Sequence, residues 1–359
     1  MNLTFQFNAS DIWRAQLADC SSARLSIDFE TWIFTDTNSG IGRDFLDVFR
    51  EKVREGVRVR ILLDMYGSLG MYVDFALLKE LREAGIEIAF FNPIAFWRLH
   101  KLFSWFSRRD HRKLILIDNR IVHIGSACVA ERMRDWHESS VRILAREGEL
   151  ITPIINSFNQ LWHSVKRMTL SRKAFDLPLT TSINYISSTP HIGKRKIHHA
   201  LSRAIRRAKK NIFLVTPYFV PTERLQFALF RALKRGVRVR LIIPEKSDPR
   251  LVDLAAYEYA RSLVRRGAEV LLHPDMVHSK YSVIDGEWGM LGSANLDNLS
   301  LLSDYEHVIA GTDSDLVSPL LENFNILSKE AKVFGESQMH PPIHDRLLGL
   351  LARPIHRFL

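Results

Sequence analysis

The octapeptide His111-Arg-Lys113-Leu-Ile-Leu-Ile-Asp118 occurs in a second version, His278-Ser-Lys280-Tyr-Ser-Val-Ile-Asp285, with the same His-x-Lys-x4-Asp spacing. Each copy is followed after six residues by Gly-Ser-Ala, as Gly125-Ser126-Ala127-Cys128 and Gly292-Ser293-Ala294-Asn295. One such dipeptide before an apolar run would be unremarkable in any buried strand. Two, each with the same turn behind it, require a chain that makes one unit twice and a site drawn from both copies.

The surrounding sequence repeats as well. Residues 24 to 34 alternate and are rich in β-branched and aromatic types, so they read as a strand. Phe45, Val48, Phe49 and Val53 then recur at helical spacing and stop at Gly56, and Val57 to Asp64 makes the next strand. A helix over Tyr72 to Ala84, closed by Gly85, leads into a strand over Ile86 to Phe91. In the second half Asn211 to Pro221 takes the place of the first strand and loop, and Arg235-Gly-Val-Arg-Val-Arg240 matches Glu55-Gly-Val-Arg-Val-Arg60 almost letter for letter. Strand-helix-strand order in both halves predicts an α/β protein of two similar domains. The expected boundaries are 1–165 for the first domain, 166–181 for a linker, 182–335 for the second domain and 336–359 for a basic, apolar tail. At 359 residues the chain is long enough for two cores.

The motif carries its own chemistry. In an extended run, His and Lys at i and i+2 point to one face, so an imidazole and an ammonium project together. That pair suits a phosphate ester: the imidazole attacks phosphorus or moves a proton near neutral pH. The Lys, with the Ser and Asn of the following turn, holds the phosphoryl oxygens as charge develops. Lys supplies the positive charge, so neither a metal nor a cofactor is expected. Glu138, 27 residues after His111, and Glu306, 28 after His278, stand at matched places before β-like runs, where a carboxylate can fix an imidazole's tautomer. His123, His137, His191, His198 and His199 lack metal-ligand spacing with a Cys or Glu and read as surface or core groups.

Lys and Arg exceed Asp and Glu by ten, which points to a polyanionic partner, either nucleic acid or an anionic membrane surface. A separate feature bears on that choice. Gly85 and Gly267 are 182 residues apart but His111 and His278 only 167, so the first half carries 15 more residues, within Asn92 to Asp110. This insertion sets Phe96, Trp97, Phe103, Trp105 and Phe106 among Arg98, Lys101, Arg108 and Arg109, a mixture suited to a lipid headgroup layer or to a core-packed helix. The tail from Arg346 to Leu359 has the same two readings. Two cysteines, Cys20 and Cys128, give no disulfide framework, and the first residues have no signal-peptide pattern, so a reducing, cytoplasmic setting is expected. No run of about 20 apolar residues predicts a membrane span.

On these motifs the chain resembles the phospholipase D superfamily and, within it, bacterial cardiolipin synthases. The narrower likeness rests on Glu30-Thr-Trp-Ile-Phe, Gly56 to Ser68, His111-Arg-Lys113, Thr216-Pro-Tyr-Phe-Val-Pro221, Gly292-Ser-Ala-Asn-Leu-Asp297 and Tyr305-Glu306. It implies two α/β/α domains with mixed sheets, related by a pseudo-twofold axis, with the active site at their interface. It further implies that one His forms a phosphohistidine while the other protonates the leaving alcohol and then activates the incoming one. By the same resemblance Lys113 and Lys280 bind phosphate, Ser126, Ser293 and Asn295 are oxygen ligands, and Asp118 and Asp285 are structural. Glu306 would orient His111 and Glu138 would orient His278, with His111 as nucleophile.

Three departures qualify the likeness. Cys128 replaces the Asn of the first turn, and Asn298-Leu-Ser follows Asn295-Leu-Asp where the synthases commonly have an Arg before the Ser. The family's amino-terminal membrane helices are missing from this sequence, so attachment to the inner membrane would be peripheral, on its cytoplasmic side. The implied activity is transfer of a phosphatidyl group, from phosphatidylglycerol, to the glycerol hydroxyl of a second phospholipid. Hydrolysis by a phospholipase D, a nuclease and a membrane scaffold that has lost activity are the alternatives. The fused halves, the Thr-Pro-Tyr-Phe-Val-Pro run and the aromatic insertion weigh against nucleic acid, and two complete His-Lys-Asp sets weigh against decay. The partners expected are phospholipid substrates and an anionic membrane surface, with the acceptor lipid and the oligomeric state left open.

Overall fold

A computed structural model describes residues 2–93, 108–144, 150–166, 182–189, 195–247 and 250–340. Trp97, Phe103, Trp105 and Phe106 of the aromatic insertion, residues 167–181 of the expected linker and the tail from Arg346 lie outside them. The chain forms two compact units: Met1–Asp135 with Ser139–Leu179 and His191–Gly193, and Trp136–Glu138 with Thr180–Pro190 and Lys194–Leu359.

The first unit is a mixed seven-stranded sheet. In chain order its strands are β1 (Asn2–Asn8), β2 (Ser26–Thr31), β3 (Arg58–Asp64), β4 (Glu87–Phe91), β5 (Leu114–Ile117), β6 (Ile121–Gly125) and β7 (His137–Leu144), whose first two residues belong to the second unit. They lie in the order β1-β7-β6-β5-β2-β3-β4. β2, β3 and β4 run parallel, as their helical crossovers require, while β5 pairs antiparallel with β2 and, through a short turn, with β6, and β6 pairs antiparallel with β7. The helices are α1 (Ala9–Ser21), α2 (Ile41–Arg54), α3 (Leu69–Val73), α4 (Phe75–Glu83) and α5 (Ile151–Lys166).

The helix of α2 forms because Ile41, Phe45, Leu46 and Phe49 fall on one face, which is buried. Phe45 and Phe49 close on Phe29 of β2 with ring centroids 5.5 and 5.4 Å apart. It ends at Gly56, whose φ of 88° is open to glycine at no steric cost. The single helix expected over Tyr72 to Ala84 is instead two, broken at Asp74, whose side chain accepts the Leu77 N–H and caps α4. An Asx residue inside an apolar-periodic run competes with the helix for its own backbone, and here it wins.

The second unit repeats the plan in eight strands. They are β8 (Ile183–Ser188), β9 (Asn211–Val215), β11 (Arg238–Pro244), β12 (Glu269–His273), β13 (Tyr281–Ile284), β14 (Trp288–Gly292), β16 (Glu306–Gly311) and β17 (Lys332–Val333). Their order is β17-β12-β11-β9-β13-β14-β16-β8, and a two-stranded ladder joins β10 (Phe219–Val220) to β15 (Leu296–Asp297). The run β12-β11-β9-β13-β14-β16 reproduces β4-β3-β2-β5-β6-β7, with the same parallel and antiparallel pairs. Around it pack α6 (Lys196–Arg207), α7 (Glu223–Lys234), α8 (Arg250–Val264), α9 (Asn298–Leu302), α10 (Ser314–Glu330) and α11 (Glu336–Met339). Ile197, Leu201 and Ile205 of α6 meet Leu225 and Leu229 of α7 over Leu214, Leu241 and Ile243 of the sheet, all but wholly buried. The α/β class and the two similar halves are therefore as the repeat implied.

Candidate active site

Both motifs enter their sheets the same way. β5 and β13 begin one residue after the lysine, so His and Lys precede the ladder rather than stand within it. The difference from expectation follows from β2 and β9: their pairing with β5 and β13 reaches Leu114 and Tyr281 and stops, leaving the preceding residues beyond the edge. The lysines nonetheless fold back onto their own histidines. Lys113 Nζ donates to the His111 carbonyl at 2.5 Å, and Lys280 Nζ to the His278 carbonyl at 2.7 Å. At the far end of each motif the Asp holds the start of the neighbouring strand. Asp118 accepts N–H groups of Arg24, Leu25 and Ser26, and Asp285 those of Lys209, Lys210 and Asn211, all within 3.0 Å. Both aspartates have φ above 50°, in the left-handed region Asp tolerates better than most residues.

The glycines of the Gly-Ser turns serve close approach. A Cβ on Gly125 would lie 2.3 Å from the Ser139 carbonyl oxygen, and one on Gly292 would lie 2.2 Å from that of His307. The space goes to the serines, whose N–H groups donate to those same carbonyls at 2.9 Å. Ser126 Oγ in turn accepts the Ser139 N–H at 2.9 Å, and Ser293 Oγ accepts that of His307 at 3.1 Å. Ser293 also donates its hydroxyl hydrogen to the Glu306 carboxylate.

Around the histidines the units differ. In the first, Arg109 donates from Nε to Asp64 Oδ1 at 3.2 Å, with its guanidinium 5.6 Å from the Trp32 ring and 5.7 Å from that of Tyr66. Arg109 is thus a buried ion-pair partner of Asp64. Asp110 donates its N–H to Asp64 Oδ2 at 3.0 Å and accepts Arg112 Nε at 3.1 Å. Arg112 reaches Glu30 with Nη2 at 2.5 Å and donates from Nη1 to Ser157 Oγ at 2.9 Å. His111, between these pairs, stands 5.8 Å edge-on from Trp32. Burial pushes the Asp64 carboxyl up to about 6 even against Arg109, and burial with Asp110 nearby raises that of Glu30 against Arg112.

In the second unit the backbone does this work. His137 donates its N–H to the Met276 carbonyl at 3.0 Å and accepts that of His278 at 2.7 Å, forming a bridge opposite Val277. Glu138, fully buried, places Oε1 2.7 Å from His278 Nδ1. Lys280 Nζ lies 3.0 Å from His278 Nε2, and Trp136 and Tyr218 flank the imidazole at 5.3 and 6.3 Å. The buried Asn295 has its Oδ1 without a hydrogen-bond partner among the described residues. Asp297 accepts the Ser300 N–H at 2.7 Å, and burial pushes its carboxyl up to about 7. Cys128, in the place of Asn295, is buried, and its carbonyl accepts Trp13 Nε1 at 2.8 Å.

The charged frame of His111 escapes reading by spacing, yet a comparison of the repeats carries a signal for it. In register, Glu30, Asp64, Asp110 and Arg112 stand where the second half has Val215, Pro244, Val277 and Ser279. Charge at four apolar or neutral places of a repeat marks a network. Of the remaining histidines, His123 pairs with Asp19 at 2.7 Å and His198 with Thr222 Oγ1 at 2.8 Å. His191 lies outside the described residues.

The family described as "Cardiolipin synthase, PLD-like domain" matches residues 17–162 and 201–327. "Probable cardiolipin synthase YwiE" of Bacillus subtilis is 30% identical over 79% of this chain, which spans 58% of that relative's length. "Cardiolipin synthase A" of Pectobacterium carotovorum is 31% identical over 85% of this chain and 65% of its own length. Among solved structures, a phosphatidylserine synthase of Haemophilus influenzae superposes with a TM-score of 0.74, covering 99% of this chain and 95% of its own at 15% identity. A polyphosphate kinase of Porphyromonas gingivalis has a TM-score of 0.63 at 12% identity, with 53% of its chain covered. At such identities the last two speak to the fold alone.

Proposed function

The chain belongs to the family of the phospholipase D-like domain of cardiolipin synthases, and from that premise we propose that it transfers phosphatidyl groups between phospholipids through a phosphohistidine. Its donor is phosphatidylglycerol. His111 attacks phosphorus, the bond from phosphorus to the head alcohol breaks, and His278 protonates the departing oxygen. The acceptor's glycerol hydroxyl then gives its proton to His278 while its oxygen displaces His111, so the product is cardiolipin and the enzyme is restored. Lys113, Lys280, Ser126, Ser293 and Asn295 hold the phosphoryl oxygens, and Glu306 orients His111.

The observation that carries this reading is Glu138 Oε1 at 2.7 Å from His278 Nδ1, with both groups buried. A carboxylate there fixes the tautomer that leaves Nε2 to move the proton and stabilises the imidazolium once formed. A lipid substrate is supported by a second feature. Tyr66, Leu69, Val73 and Phe75 are exposed directly after β3, and Tyr66 stands 6.1 Å from the Trp32 ring that faces His111. Large exposed side chains beside a site favour an apolar ligand over nucleic acid. With the net charge of +10 they suit peripheral attachment to the anionic, cytoplasmic face of the bacterial inner membrane. No helix among the described residues is long and apolar enough to cross a membrane.

Purified protein on liposomes of labelled phosphatidylglycerol, with and without phosphatidylethanolamine, tests the proposal. Labelled cardiolipin with release of glycerol is the expected result. Phosphatidic acid as the sole labelled product would make water the acceptor and replace transfer by hydrolysis. Turnover of a nucleic-acid phosphodiester in preference to lipid would overturn the reading.

A further inference from the structure

Away from the chemistry of His278, the second unit gathers a set of ligand-bearing side chains that no motif contains. β12 ends at His273, whose ring is fully buried, and Glu330 ends α10. His273 Nε2 and Glu330 Oε2 are 3.2 Å apart. The His137 ring packs against that of His273 at 4.7 Å and 72°. One ligand atom from each of His137, His273 and Glu330 falls within 4.8 Å of the others, and this is the cluster of its kind among the described residues. Asp275 Oδ2 stands 3.9 Å from His137 Nε2.

We propose that His137, His273 and Glu330 bind a divalent transition-metal ion of the zinc class, which fastens the Trp136–Glu138 segment to β12 and α10. Bonds of about 2.0–2.1 Å in tetrahedral array put ligand atoms roughly 3.3 Å apart, so the His273–Glu330 edge is already set and a small rotation of His137 completes the face. Two imidazoles and a carboxylate choose zinc, cobalt or nickel over magnesium or calcium, which take oxygen ligands. Asp275 or water fills the fourth position. His273 Nδ1 lies 3.4 Å from the Asp275 carbonyl, an acceptor that holds a ligating histidine in the tautomer with Nε2 free for the ion. Without the ion the same nitrogen accepts the Asp275 N–H at 3.2 Å, and Nε2 donates to Glu330.

The ion would take no part in phosphoryl transfer. Its role follows from the order of the chain: His137 immediately precedes Glu138, so an ion on His137 pins the short segment that brings a carboxylate to His278. The proposal stands whether or not the lipid chemistry above is correct.

Cobalt is the probe. Tag-free full-length protein, stripped with chelator and dialysed, is titrated with Co2+ and followed by visible absorption, then back-titrated with Zn2+. The expected result is a single equivalent of Co2+ with the intense bands of a four-coordinate site, bleached by Zn2+, and a Zn2+-dependent rise in melting temperature. Glu330→Gln and His137→Gln alter partly exposed side chains and should keep the wild-type far-ultraviolet circular dichroism, yet each should weaken Co2+ binding by about tenfold or more. Glu322→Gln, exposed on the same helix, should leave binding unchanged. Absence of a stoichiometric band, a six-coordinate spectrum, or equal affinity in both glutamine variants would each overturn the site and leave His273 and Glu330 as a simple hydrogen-bonded pair.

Discussion

His111 and His278 occupy the same place in two copies of one design, yet they are fixed by different means. Asp110 and Arg112 flank the first and tie it into buried ion pairs with Asp64, Arg109 and Glu30. Val277 and Ser279 flank the second, which is held by a backbone bridge to His137 and by Glu138. A frame of buried charges depends on every member, because loss of one leaves its partner desolvated and unpaired. A frame of backbone bonds, to which Ser279 adds one hydroxyl bond on the His137 carbonyl, depends less on the side chains around it. The first histidine should therefore be fragile in stability, and the second sensitive in chemistry at one position, Glu138.

The sharpest test of this asymmetry asks which histidine takes the phosphatidyl group. With label in the phosphate or the diacylglycerol part of the donor, His278→Ala should still trap label on the protein after acid quench, while His111→Ala should trap none. Removal of the nucleophile abolishes the adduct, whereas loss of an acid-base group slows turnover by about 10²- to 10⁴-fold. The opposite pattern would exchange the roles, and label in neither variant together with full turnover in either would end the covalent mechanism.

Next in size is Glu138→Gln, which keeps the shape of the side chain and removes its charge. Turnover should fall by roughly 10²- to 10⁴-fold with the melting temperature little changed. An unaltered rate would show that the Glu138–His278 pair is architecture only.

The charged frame gives the third contrast. Arg112→Met leaves Glu30 and Asp110 buried without their cation and should cost about 3–5 kcal/mol in urea unfolding. Ser279→Ala, at the equivalent place, removes only the hydroxyl's bond to the His137 carbonyl and should cost about 1 kcal/mol. Equal losses would erase the distinction between the two frames.

The smallest effect is one of pH. Burial, with Glu306 nearby, pushes the Asp297 carboxyl up to about 7 from an unfolded value of 3.8. Between those values the folded protein holds a proton that the unfolded chain has released, so this group's contribution to stability is largest in acid and declines as pH rises towards 7. Asp297→Asn keeps an oxygen for the Ser300 N–H and removes the titration. The difference in unfolding free energy between wild type and variant should shift with pH in that direction, and a pH-independent difference would mean that Asp297 is ionised throughout.

Much of this was legible because the sequence says it twice. The repeated His-Lys-Asp spacing gives two α/β halves, and the matched Gly125 and Gly292 mark where a strand leaves no room for a Cβ. The place of Glu138 after its motif also singled out a residue that the fold brings to an imidazole 140 positions away. What spacing does not give is what only the sheet register brings together. His273 and Glu330 are 57 residues apart on a strand and a helix and carry no local pattern. The break at Asp74 turns on one side chain's choice between helix and cap, which periodicity averages away. The ion pair of Arg109 leaves no local mark because its partner Asp64 lies 45 residues earlier.

The chain visits the second unit for three residues, Trp136 to Glu138, before returning to the first. A protease cut or a gene split between the halves would therefore not yield two autonomous copies of the design. Residues 180–359 made alone would carry His278, Lys280 and Asp285 intact and lack the carboxylate that partners the imidazole. Complementation by a separately made first half is then a stricter requirement than folding, since activity would return only when the visiting segment had been threaded back into place.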